Sequence, residues 1–592
     1  MEAFYPRALI PISHGAEPNV SDPQSVQLKT LTPDMQLPAE HGRTDHAVLG
    51  DDEYLIQLLR KSKMFRTHLT ILEEALTKHA SATAFKIPVI DPQSSELQDW
   101  IPITYSQWAS DVNSLARHWF RVLSGSGVEQ GSVVALCLGG YEYIDVVQIY
   151  AISKAGYIPH IFSRLPGISI VKDLLHKSDT KAFIRSTSFK DVLKSIDDIP
   201  TFDPARLEDV DFSNIEFIPP LPENHADDTV LIAHTSGSTS GAPKLVYVSY
   251  RWLDGTMKKF GEPWPNKRKP ESMNWMGNAC HMAQFSLLLG RVKEADCVIQ
   301  PRKPGDLDEL IDLVKRDMFD TLSVFAPSLV KLLNASQSDH HLRVSLARLK
   351  MIFSGGATLP RSAEEYAAKN NINIVNLYAT TEAGMVMISK GTRYDPLNHF
   401  HICDVPGVSY RLDPVTHDGE GTQYSTNLLE LVVLSDSIDC PSPSFRRPDD
   451  GHFHTGDLWE QSDDGGYIYR GRDDDWIKCE NGCRCDTSAI EDNARKTCSD
   501  LIFDCVVVGN NRPSPVIIVE PKEDSEHEKL KKEIFKRMEP FNSQRLSHER
   551  IASLQMIVIV PKNELPRTAA KGNIRRKAAE ETYRQLLDTI YA

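Results

Sequence analysis

Short runs of apolar residues alternate with helical patterns along most of the chain. The run 133–138 has the length of a buried strand, and apolar residues at helical spacing follow from Tyr143 to a stop at Gly156. The same succession of strand and helix returns at four further apolar runs, 230–233, 321–325, 349–353 and 372–377. Strands that alternate with helices in this way are typical of α/β units around largely parallel sheets.

Two changes of pattern divide the second half of the chain. Between about 407 and 457, short strands and turns replace the alternation, which predicts a β-rich subdomain. After the charged segment 471–476 the composition changes again, and a smaller α/β segment begins. The apolar runs of that segment lie at 503–508, 516–519 and 556–560, with a helical pattern at 524–538.

These patterns together predict an α/β fold of two domains after a leader. A large N-terminal domain of stacked, mostly parallel α/β sheets with a β-rich subdomain should occupy residues 51–473, and a small, mobile α+β domain residues 474–592. Residues 1–50 carry scattered Pro, Gly, Asp and His without a period and are expected to form a poorly ordered leader. A chain of 592 residues is also too long for one hydrophobic core.

The charge and the apolar content argue against several classes of protein. Lys and Arg number 66 against 81 Asp and Glu, and the net charge of −15 argues against a nucleic-acid or anionic-membrane surface. No apolar run approaches the roughly 20 residues that span a bilayer, and the N-terminus lacks a secretory signal pattern. Ten cysteines in so long a chain do not make a disulfide scaffold. We expect a cytoplasmic protein without nucleic-acid or membrane partners.

The segment 235–244, directly after the apolar run 230–233, carries the strongest chemical signal. Its small residues and two glycines allow backbone N–H groups to close around phosphate oxygens, while hydroxyl groups and Lys244 add donors and positive charge. The candidate phosphate ligands are Thr235, Ser236, Gly237, Ser238, Thr239, Gly241 and Lys244. The spacing does not fit a Walker-type P-loop, and a flexible Ser/Gly linker has a similar composition.

This segment resembles the phosphate loop of the adenylate-forming superfamily, which comprises acyl-CoA synthetases, peptide-synthetase (NRPS) adenylation domains and firefly-type luciferases. The usual motif is T-S-G-S-T-G-x-P-K, so this chain carries one extra residue, Ser240, ahead of Gly241. Further motifs of the superfamily follow in the expected order over about residues 100–590, and that order makes the resemblance specific. The resemblance implies an enzyme that uses ATP and Mg²⁺ to activate a carboxylic acid as its acyl-AMP.

One motif after the phosphate loop is similar to the superfamily's adenine loop. The segment Ser-Gly-Gly-Ala-Thr-Leu-Pro at 354–360 resembles the loop whose backbone packs along the adenine. The resemblance implies that Gly355, Gly356 and Ala357 line the nucleotide site.

The next motif, Asn-Leu-Tyr-Ala-Thr-Thr-Glu at 376–382, is similar to N-x-Y-G-x-T-E. The resemblance implies that Tyr378 offers an aromatic face to the purine and that Thr381 offers a hydroxyl to the α-phosphate. Glu382 would provide a hard oxygen ligand for Mg²⁺. Considered alone, a Tyr and a Glu after a strand are more often core and surface residues.

Two further motifs are similar to those that hold the ribose and form the domain hinge. Thr-Gly-Asp at 455–457 resembles the superfamily's T-G-D, in which the carboxylate of Asp457 would accept hydrogen bonds from both ribose hydroxyls. In the segment 469–478, Arg472 would be a second ribose or phosphate contact and Asp474 the hinge of the small domain. Without the resemblance, such an acidic run is usually a solvated loop.

The predicted catalytic lysine lies near the C-terminus. The segment 565–575 resembles the motif P-K-T-x-x-G-K-I-x-R but has the order Lys571-Gly572 where Gly-Lys is usual. That order, and the helical pattern over 575–592, are similar to the adenylation domains of fungal NRPS-like carboxylic acid reductases. We therefore expect Lys571 to be catalytic.

The segment 278–284 indicates the class of acid. Amino-acid-activating domains of the superfamily carry an Asp that pairs with the α-ammonium group, whereas this chain has His281 in the corresponding stretch. A buried ammonium without its partner is costly, so an aryl or other non-amino acid is the preferred substrate. The acid pocket is expected to include His281, Met282, Gly355 and Ala379, with His281 among the catalytic residues. A satisfied core histidine is the alternative for His281.

The sequence does not decide which thiol accepts the acyl group, and it leaves two alternative functions open. The superfamily's second step uses a thiol, either the phosphopantetheine arm of a carrier domain or coenzyme A. A free acyl-CoA ligase is the nearest alternative, and a catalytically silent nucleotide- or acyl-binding homologue is another. The cluster Cys479, Cys483 and Cys485 invites a zinc interpretation, but no second Cys/His pair follows at metal-site spacing.

Overall fold

The computed structural model describes most of the chain from Phe65 onward. The described ranges are 65–91, 93–94, 96–163, 168–186, 189, 196, 198–210, 218–219, 224–235, 243–260, 270–415, 427–473, 476–480, 484–523, 526–567 and 574–592. The predicted leader at 1–50 lies outside them. Within these ranges no helix combines the length and the apolar character that a membrane-spanning helix needs.

Helices and strands alternate through the first half of this region, as the apolar pattern predicts. The helices are α1 His68–His79, α2 Tyr105–Gly125, α3 Tyr143–Lys154, α4 Ile168–Lys177, α5 Tyr250–Lys259, α6 Met282–Lys293, α7 Leu307–Lys315, α8 Ala326–Ser338, α9 His340–Arg348, α10 Arg361–Lys369, α11 Thr487–Thr497, α12 His527–Asn542, α13 Arg576–Thr582 and α14 Arg584–Tyr591. Local chemistry sets their ends. Before α2, for example, the Thr104 hydroxyl accepts the Gln107 N–H at 3.2 Å while the Gln107 side chain accepts the Thr104 N–H at 2.9 Å.

The strands form two large sheets and two small ones. They are β1 Thr83–Ile90, β2 Leu97–Thr104, β3 Val133–Cys137, β4 Ile158–Ile161, β5 Thr180–Arg185, β6 Thr201–Phe202, β7 Thr229–His234, β8 Leu245–Ser249, β9 Ser272–Asn274, β10 Cys297–Ile299, β11 Thr321–Phe325, β12 Met351–Gly355, β13 Ile374–Thr380, β14 Gly384–Ser389, β15 Phe400–Ile402, β16 Tyr410–Pro414, β17 Leu428–Val433, β18 Phe453–Gln461, β19 Tyr467–Arg472, β20 Ile477–Lys478, β21 Arg484–Cys485, β22 Ile502–Val508, β23 Val516–Pro521 and β24 Ile557–Ile559. The predicted strand at 372–377 extends to Thr380 because its last residues pair with β14.

The first large sheet has the order β6-β5-β3-β4-β7-β8. All of its neighbouring strands are parallel except β7 and β8, which form an antiparallel pair. Helix α3 is buried at nine of its 12 positions. A helix that is apolar all round lies inside a protein rather than on its surface, so this helix belongs to the interior of the large domain.

The second large sheet changes direction midway. Its order is β16-β17-β18-β19-β15-β14-β13-β12-β11-β9-β10-β1-β2. The part from β13 to β1 is parallel, whereas β13 to β16 form an antiparallel, β-rich half. The two halves meet at β13, whose end carries the predicted nucleotide motif.

The C-terminal part has hydrophobic clusters of its own. Its central sheet is β22-β23-β24, packed with α11 and α12. Cys479 and Cys485 are both buried in this cluster, which accounts for them as core residues, while Cys483 lies outside the described residues. Large parallel sheets, a β-rich half and a smaller α+β part confirm the predicted fold class.

Candidate active site

The carboxyl ends of three parallel strands meet at one edge of the second sheet. Phe325 at the end of β11 pairs in register with Gly355 at the end of β12, and Ser354 pairs with Asn376 on β13. Ligands of α/β proteins bind outside the carboxyl ends of the strands, where the sheet changes its topology. In the order β13-β12-β11-β9-β10 the connections reverse direction between β9 and β11, so the end of β11 is such a position.

Two glycines follow each other at this edge, at positions where a Cβ atom would be too close to neighbouring residues. A Cβ atom on Gly355 would lie 3.0 Å from the carbonyl oxygen of Leu377. Gly356 has φ of +78°, and a Cβ there would lie 2.9 Å from the ring of Phe325. Ala357 is exposed. The predicted adenine loop, residues 355–357, thus continues from the carboxyl end of β12 as a segment whose last two residues are exposed.

Asp457 is the centre of a hydrogen-bonded cluster on the neighbouring strands. The Tyr378 hydroxyl donates to Asp457 Oδ2 at 2.7 Å, and the Tyr469 hydroxyl donates to Oδ1 at 2.9 Å. Arg472 faces Asp457 across β18 and β19, with its Nη1 at 3.6 Å from Oδ2. Arg472 also donates to the Thr455 carbonyl at 3.3 Å. The structure therefore brings three of the predicted nucleotide-site residues, Tyr378, Asp457 and Arg472, together.

The Asp457 cluster fixes Tyr378. The Tyr378 and Tyr469 hydroxyl groups each donate to a different oxygen of the Asp457 carboxylate. Burial and the Asp457 carboxylate together raise the pKa of Tyr378 well above its usual range, so Tyr378 stays a donor. Its ring is held edge-on against Trp459, with the centroids 4.8 Å apart. Tyr378 is thus fixed by both its ring and its hydroxyl.

Glu382 and Thr381 lie in the turn between β13 and β14. The Thr380 hydroxyl accepts the Ala383 N–H at 2.9 Å, and the Trp252 indole donates to the Glu382 carbonyl at 2.9 Å. Burial raises the pKa of the Glu382 carboxyl, and the charge of Asp457 acts in the same direction. Arg472 and Lys244 lower that pKa through electrostatic attraction. Three predicted site residues therefore act electrostatically on Glu382.

This environment fits a hard divalent cation. The Glu382 carboxylate is penalised by burial and by a neighbouring carboxylate, and a bound cation would favour its ionised form. Its oxygens are of the type that Mg²⁺ prefers. Glu382, with the negative charge of Asp457 nearby, is the group that would hold Mg²⁺ beside a nucleotide.

The structure describes the two ends of the predicted phosphate loop. The Thr235 N–H donates to the Lys244 carbonyl at 2.9 Å, and the Lys244 N–H donates to the Thr235 hydroxyl at 3.1 Å. The loop therefore leaves and rejoins the β7–β8 pair at one closed base. Lys244 is exposed there. The remaining predicted ligands, Ser236, Gly237, Ser238, Thr239 and Gly241, lie outside the described residues, as does Ser240.

His234 supports the base of this loop. Its Nδ1–H donates to the Thr235 carbonyl at 3.2 Å, while its Nε2 accepts the Ser163 N–H at 3.2 Å. Burial lowers the pKa of His234, which favours the neutral ring that this arrangement needs. His234 belongs to none of the motifs named above, so its role becomes visible only in the structure.

Comparison with known families decides the classification. The model of the AMP-binding enzyme family matches residues 72–413, and that of the AMP-binding enzyme C-terminal domain matches residues 474–592. The chain belongs to the AMP-binding enzymes. This membership confirms the resemblance to adenylate-forming enzymes and the expectation of an adenylate-forming ligase.

Individual relatives agree with this family. The AMP-binding domain-containing enzyme iboA of Amanita muscaria is 32% identical over 525 residues, which cover 85% of this chain and 98% of that one. A carboxylic acid reductase of Neurospora crassa is 24% identical over 84% of this chain, which spans about half, 48%, of that longer protein. The crystal structure of ATP-bound MatB from Rhodopseudomonas palustris superposes with a TM-score of 0.66 over 87% of this chain and 99% of that chain, at 17% identity. The last comparison shows the shared fold.

The predicted acid side of this AMP-binding enzyme lies near Phe325. His281 caps helix α6, where its Nδ1 accepts the Ala283 N–H at 3.2 Å, and its ring contacts Phe325 edge-on with centroids 6.1 Å apart. Phe325 is also the residue nearest to Gly356, so His281 and the glycine loop meet through it. Met282 is buried in the main hydrophobic cluster, and Ala379 is exposed.

The predicted hinge and catalytic lysine of the enzyme lie at gaps in the described residues. Asp474 is outside them, but the preceding Asp473 forms an ion pair with Arg484, and the Trp476 indole donates to the Arg470 carbonyl at 2.9 Å. Lys571 is also outside them. Arg567 and Ile574, which precede and follow it in the sequence, pair as an antiparallel bridge.

Proposed function

We propose that this enzyme activates an aryl or other non-amino carboxylic acid as acyl-AMP, releases pyrophosphate, and passes the acyl group to the phosphopantetheine thiol of a carrier domain. The observation that carries the first step is the cluster of Tyr378, Asp457, Tyr469 and Arg472 beside Glu382. It combines donors and acceptors for a ribose with an acidic group for a cation at one edge of the sheet.

The first step brings two anions together, so the enzyme must neutralise charge and fix geometry. The carboxylate of the substrate attacks the α-phosphorus of ATP, and the bond from that phosphorus to pyrophosphate breaks. Lys244, Arg472 and Lys571 would reduce the repulsion between the anions, and Mg²⁺ on Glu382 would neutralise phosphate charge. Thr381 would orient the α-phosphate, and Asp457 the ribose. These roles rest on the superfamily motifs and on the electrostatic coupling of Glu382 to Arg472, Lys244 and Asp457.

The second step needs access for a thiol. The thiol sulfur attacks the acyl carbon and loses its proton, and the bond from that carbon to the bridging oxygen breaks, so that AMP leaves with this oxygen. In our proposal the C-terminal part turns about Asp474 between the two steps, and its closure keeps water from the reactive adenylate. Two contacts span this segment, the Asp473–Arg484 ion pair and the Trp476–Arg470 hydrogen bond. They hold the residues on either side of Asp474 in a defined geometry in this structure.

The preference for a non-amino acid rests on the segment 278–284. It contains no carboxylate that could pair with an α-ammonium group. Its polar side chains are engaged elsewhere, since Asn278 donates to the Gly139 carbonyl at 2.9 Å and Gln284 accepts the Met276 N–H at 3.0 Å. An unpaired buried ammonium costs at least about 2 kcal/mol, or roughly thirtyfold in kcat/KM.

The test is acid-dependent ATP–pyrophosphate exchange across aryl, aliphatic and amino acids, with matched pairs such as 3-phenylpropanoic acid and phenylalanine. We expect the non-amino member of each pair to be activated at least about thirtyfold better. An α-amino acid as the best substrate would contradict the acid preference. No response to any acid would favour a silent binding homologue.

Lys571→Ala tests the catalytic lysine in the same assay. Because its charge would matter mainly in the transition state, kcat should fall far more than the apparent affinity for ATP. Lys577→Ala, at an exposed position on α13, is the matched control. Near-normal turnover of Lys571→Ala would remove this residue from the catalytic role. Product analysis with coenzyme A and with a carrier domain that bears a free phosphopantetheine thiol then distinguishes a free acyl-CoA ligase from the proposed enzyme.

A further inference from the structure

Helix α5 holds two consecutive carbonyl groups of the turn that carries Glu382. The Trp252 indole N–H donates to the Glu382 carbonyl at 2.9 Å, and the Lys259 ammonium donates to the Ala383 carbonyl at 3.1 Å. Both side chains are buried, Trp252 with 2% and Lys259 with 0% of its surface exposed. The two donors lie seven residues apart, about two helical turns, so both project from one side of α5.

The Lys259 ammonium is itself fixed by a buried acid. It forms an ion pair with Asp439, and both side chains have no exposed surface. The same carboxylate accepts hydrogen bonds from the hydroxyl groups of Tyr410 and Ser437. The acid is therefore held by one cation and two hydroxyl groups, so the ammonium that reaches Ala383 has a defined position.

The turn also lies against α5 without spare room. Gly384, at the start of β14, has φ of +68°. A Cβ atom there would lie 3.2 Å from the Trp252 ring and 3.4 Å from the Thr256 hydroxyl. Contacts this short mean that the helix surface sets the path of the backbone after Glu382.

We propose that Trp252 and Lys259 are positioning residues that aim Glu382 at the nucleotide and its Mg²⁺. This inference rests on the proposed function, because it assigns Glu382 the role given there. Helix α5 directly follows β8, which begins after Lys244 at the end of the phosphate loop. One rigid element thus connects the phosphate loop to the acidic turn, and keeps the relative positions of Lys244 and Glu382.

The test compares Trp252→Phe with Trp119→Phe. The first removes the N–H that binds the Glu382 carbonyl and keeps an aromatic ring. The second removes an equally buried indole N–H, which donates to Gln148 at 2.6 Å on helix α3. Each variant and the wild type are titrated with ATP in the presence and in the absence of Mg²⁺ by calorimetry, and assayed for acid-dependent pyrophosphate exchange.

We expect Trp252→Phe to weaken Mg²⁺-dependent ATP binding or turnover by about tenfold to a hundredfold, as is usual for groups that orient a metal ligand. Its affinity for ATP without Mg²⁺ and its thermal midpoint should stay close to those of Trp119→Phe. Equal Mg²⁺ dependence in the two variants would overturn the inference. If the wild type binds Mg²⁺ and ATP but exchanges no pyrophosphate with any acid, the proposed function fails, while the binding comparison still decides on the positioning role.

A second variant covers the case in which Trp252→Phe does not fold. Lys259→Met combined with Asp439→Asn removes both buried charges. The Asn amide can accept from one of the Tyr410 and Ser437 hydroxyl groups through its oxygen and donate to the other through its NH₂ group. Replacing a whole buried ion pair by neutral groups of similar size is often neutral for stability. We expect this double variant to fold and to show the same loss of Mg²⁺-dependent ATP binding. A folded double variant with wild-type binding would overturn the inference for Lys259.

Discussion

Two carboxylates near helix α5, the fully buried Asp439 and the partly buried Glu382, have very different surroundings. Asp439 has no exposed surface and is compensated by the Lys259 ammonium and two hydroxyl groups. The charge of Glu382 is only partly compensated, because burial and Asp457 raise its pKa above the usual value in spite of the attraction of Arg472 and Lys244. The charge of Asp439 is neutralised by the protein's own groups, whereas the charge of Glu382 would be neutralised by a cation that binds with the nucleotide.

The difference shows how a fold separates stability from function. When a buried charge is fully paired, removing its partner leaves an uncompensated charge in the interior and destabilises the fold. A buried charge that is left under-compensated costs stability but is ready to bind, and such groups concentrate at functional sites. The turn between β13 and β14 connects the two acids. Lys259, the partner of Asp439, donates to the carbonyl of Ala383, and Glu382 is the residue that precedes Ala383.

The largest effect is expected at the compensated acid. Asp439→Asn leaves the Lys259 ammonium buried without its counter-charge, which should cost about 3–5 kcal/mol of stability. The measurement is the midpoint of denaturant unfolding, followed by the fluorescence of the buried tryptophans. A midpoint equal to that of the wild type would mean that Lys259 is not held as a buried cation.

Glu382→Gln should show the opposite behaviour. It removes a charge that burial disfavours, so the unfolding midpoint should stay the same or rise slightly. Pyrophosphate exchange should fall by at least about a hundredfold, because a neutral amide is a poor ligand for Mg²⁺. A Glu382→Gln variant that loses stability but keeps pyrophosphate exchange would mean that Glu382, like Asp439, serves the stability of the fold and not metal binding.

Asp457→Asn should have a smaller effect, mainly on nucleotide affinity. An amide offers one acceptor oxygen in place of two, so at least one of the hydrogen bonds to Tyr378, Tyr469 or a ribose is lost. A hydrogen bond to a charged group contributes about 1.5–3 kcal/mol, so the KM for ATP should rise at least about tenfold. Comparison with 2′- and 3′-deoxy-ATP checks the assignment, since the variant should discriminate against them less than the wild type does.

The smallest effect is expected at a buried imidazole, His68, whose ring packs against Tyr150 and Phe285. His68 on α1 has no exposed surface, and neither ring nitrogen has a hydrogen-bond partner in the described part of the chain. Burial lowers its pKa to about 3, so below about pH 6.5 the unfolded chain binds a proton that the folded protein does not. Stability from this source is present above that pH and is lost as the pH falls towards 3.

His68→Leu should therefore stabilise the protein more at pH 5 than at pH 8, by about 2 kcal/mol. The measurement is the unfolding midpoint at the two pH values. His79→Gln, at an exposed position on the same helix, is the control. A pH-independent difference between His68→Leu and the wild type would contradict the buried, neutral state of His68.

Patterns within short segments were predictive, and contacts across the chain were not. Strands β11, β12 and β13 follow from the apolar runs 321–325, 349–353 and 372–377, and the glycines of 355–356 follow from a motif, whereas the extension of β13 to Thr380 depends on its pairing with β14. Tyr469 as a donor to Asp457 depends on the register of β18 and β19, which no local pattern shows. Lys259 and Asp439 are 180 residues apart, so their pairing exists only after the helix packs on the β-rich half.

The most direct test of acyl-AMP formation follows one oxygen atom. The best acid from the exchange assay, with both carboxylate oxygens as ¹⁸O, is incubated with the enzyme, ATP, Mg²⁺ and hydroxylamine, and the products are analysed by mass spectrometry. Attack of the carboxylate on the α-phosphorus places one acid oxygen between the acyl carbon and AMP, and later attack at the acyl carbon leaves it on AMP. We predict AMP with one ¹⁸O and unlabelled pyrophosphate. Unlabelled AMP, or ¹⁸O in inorganic phosphate, would contradict the proposed reaction.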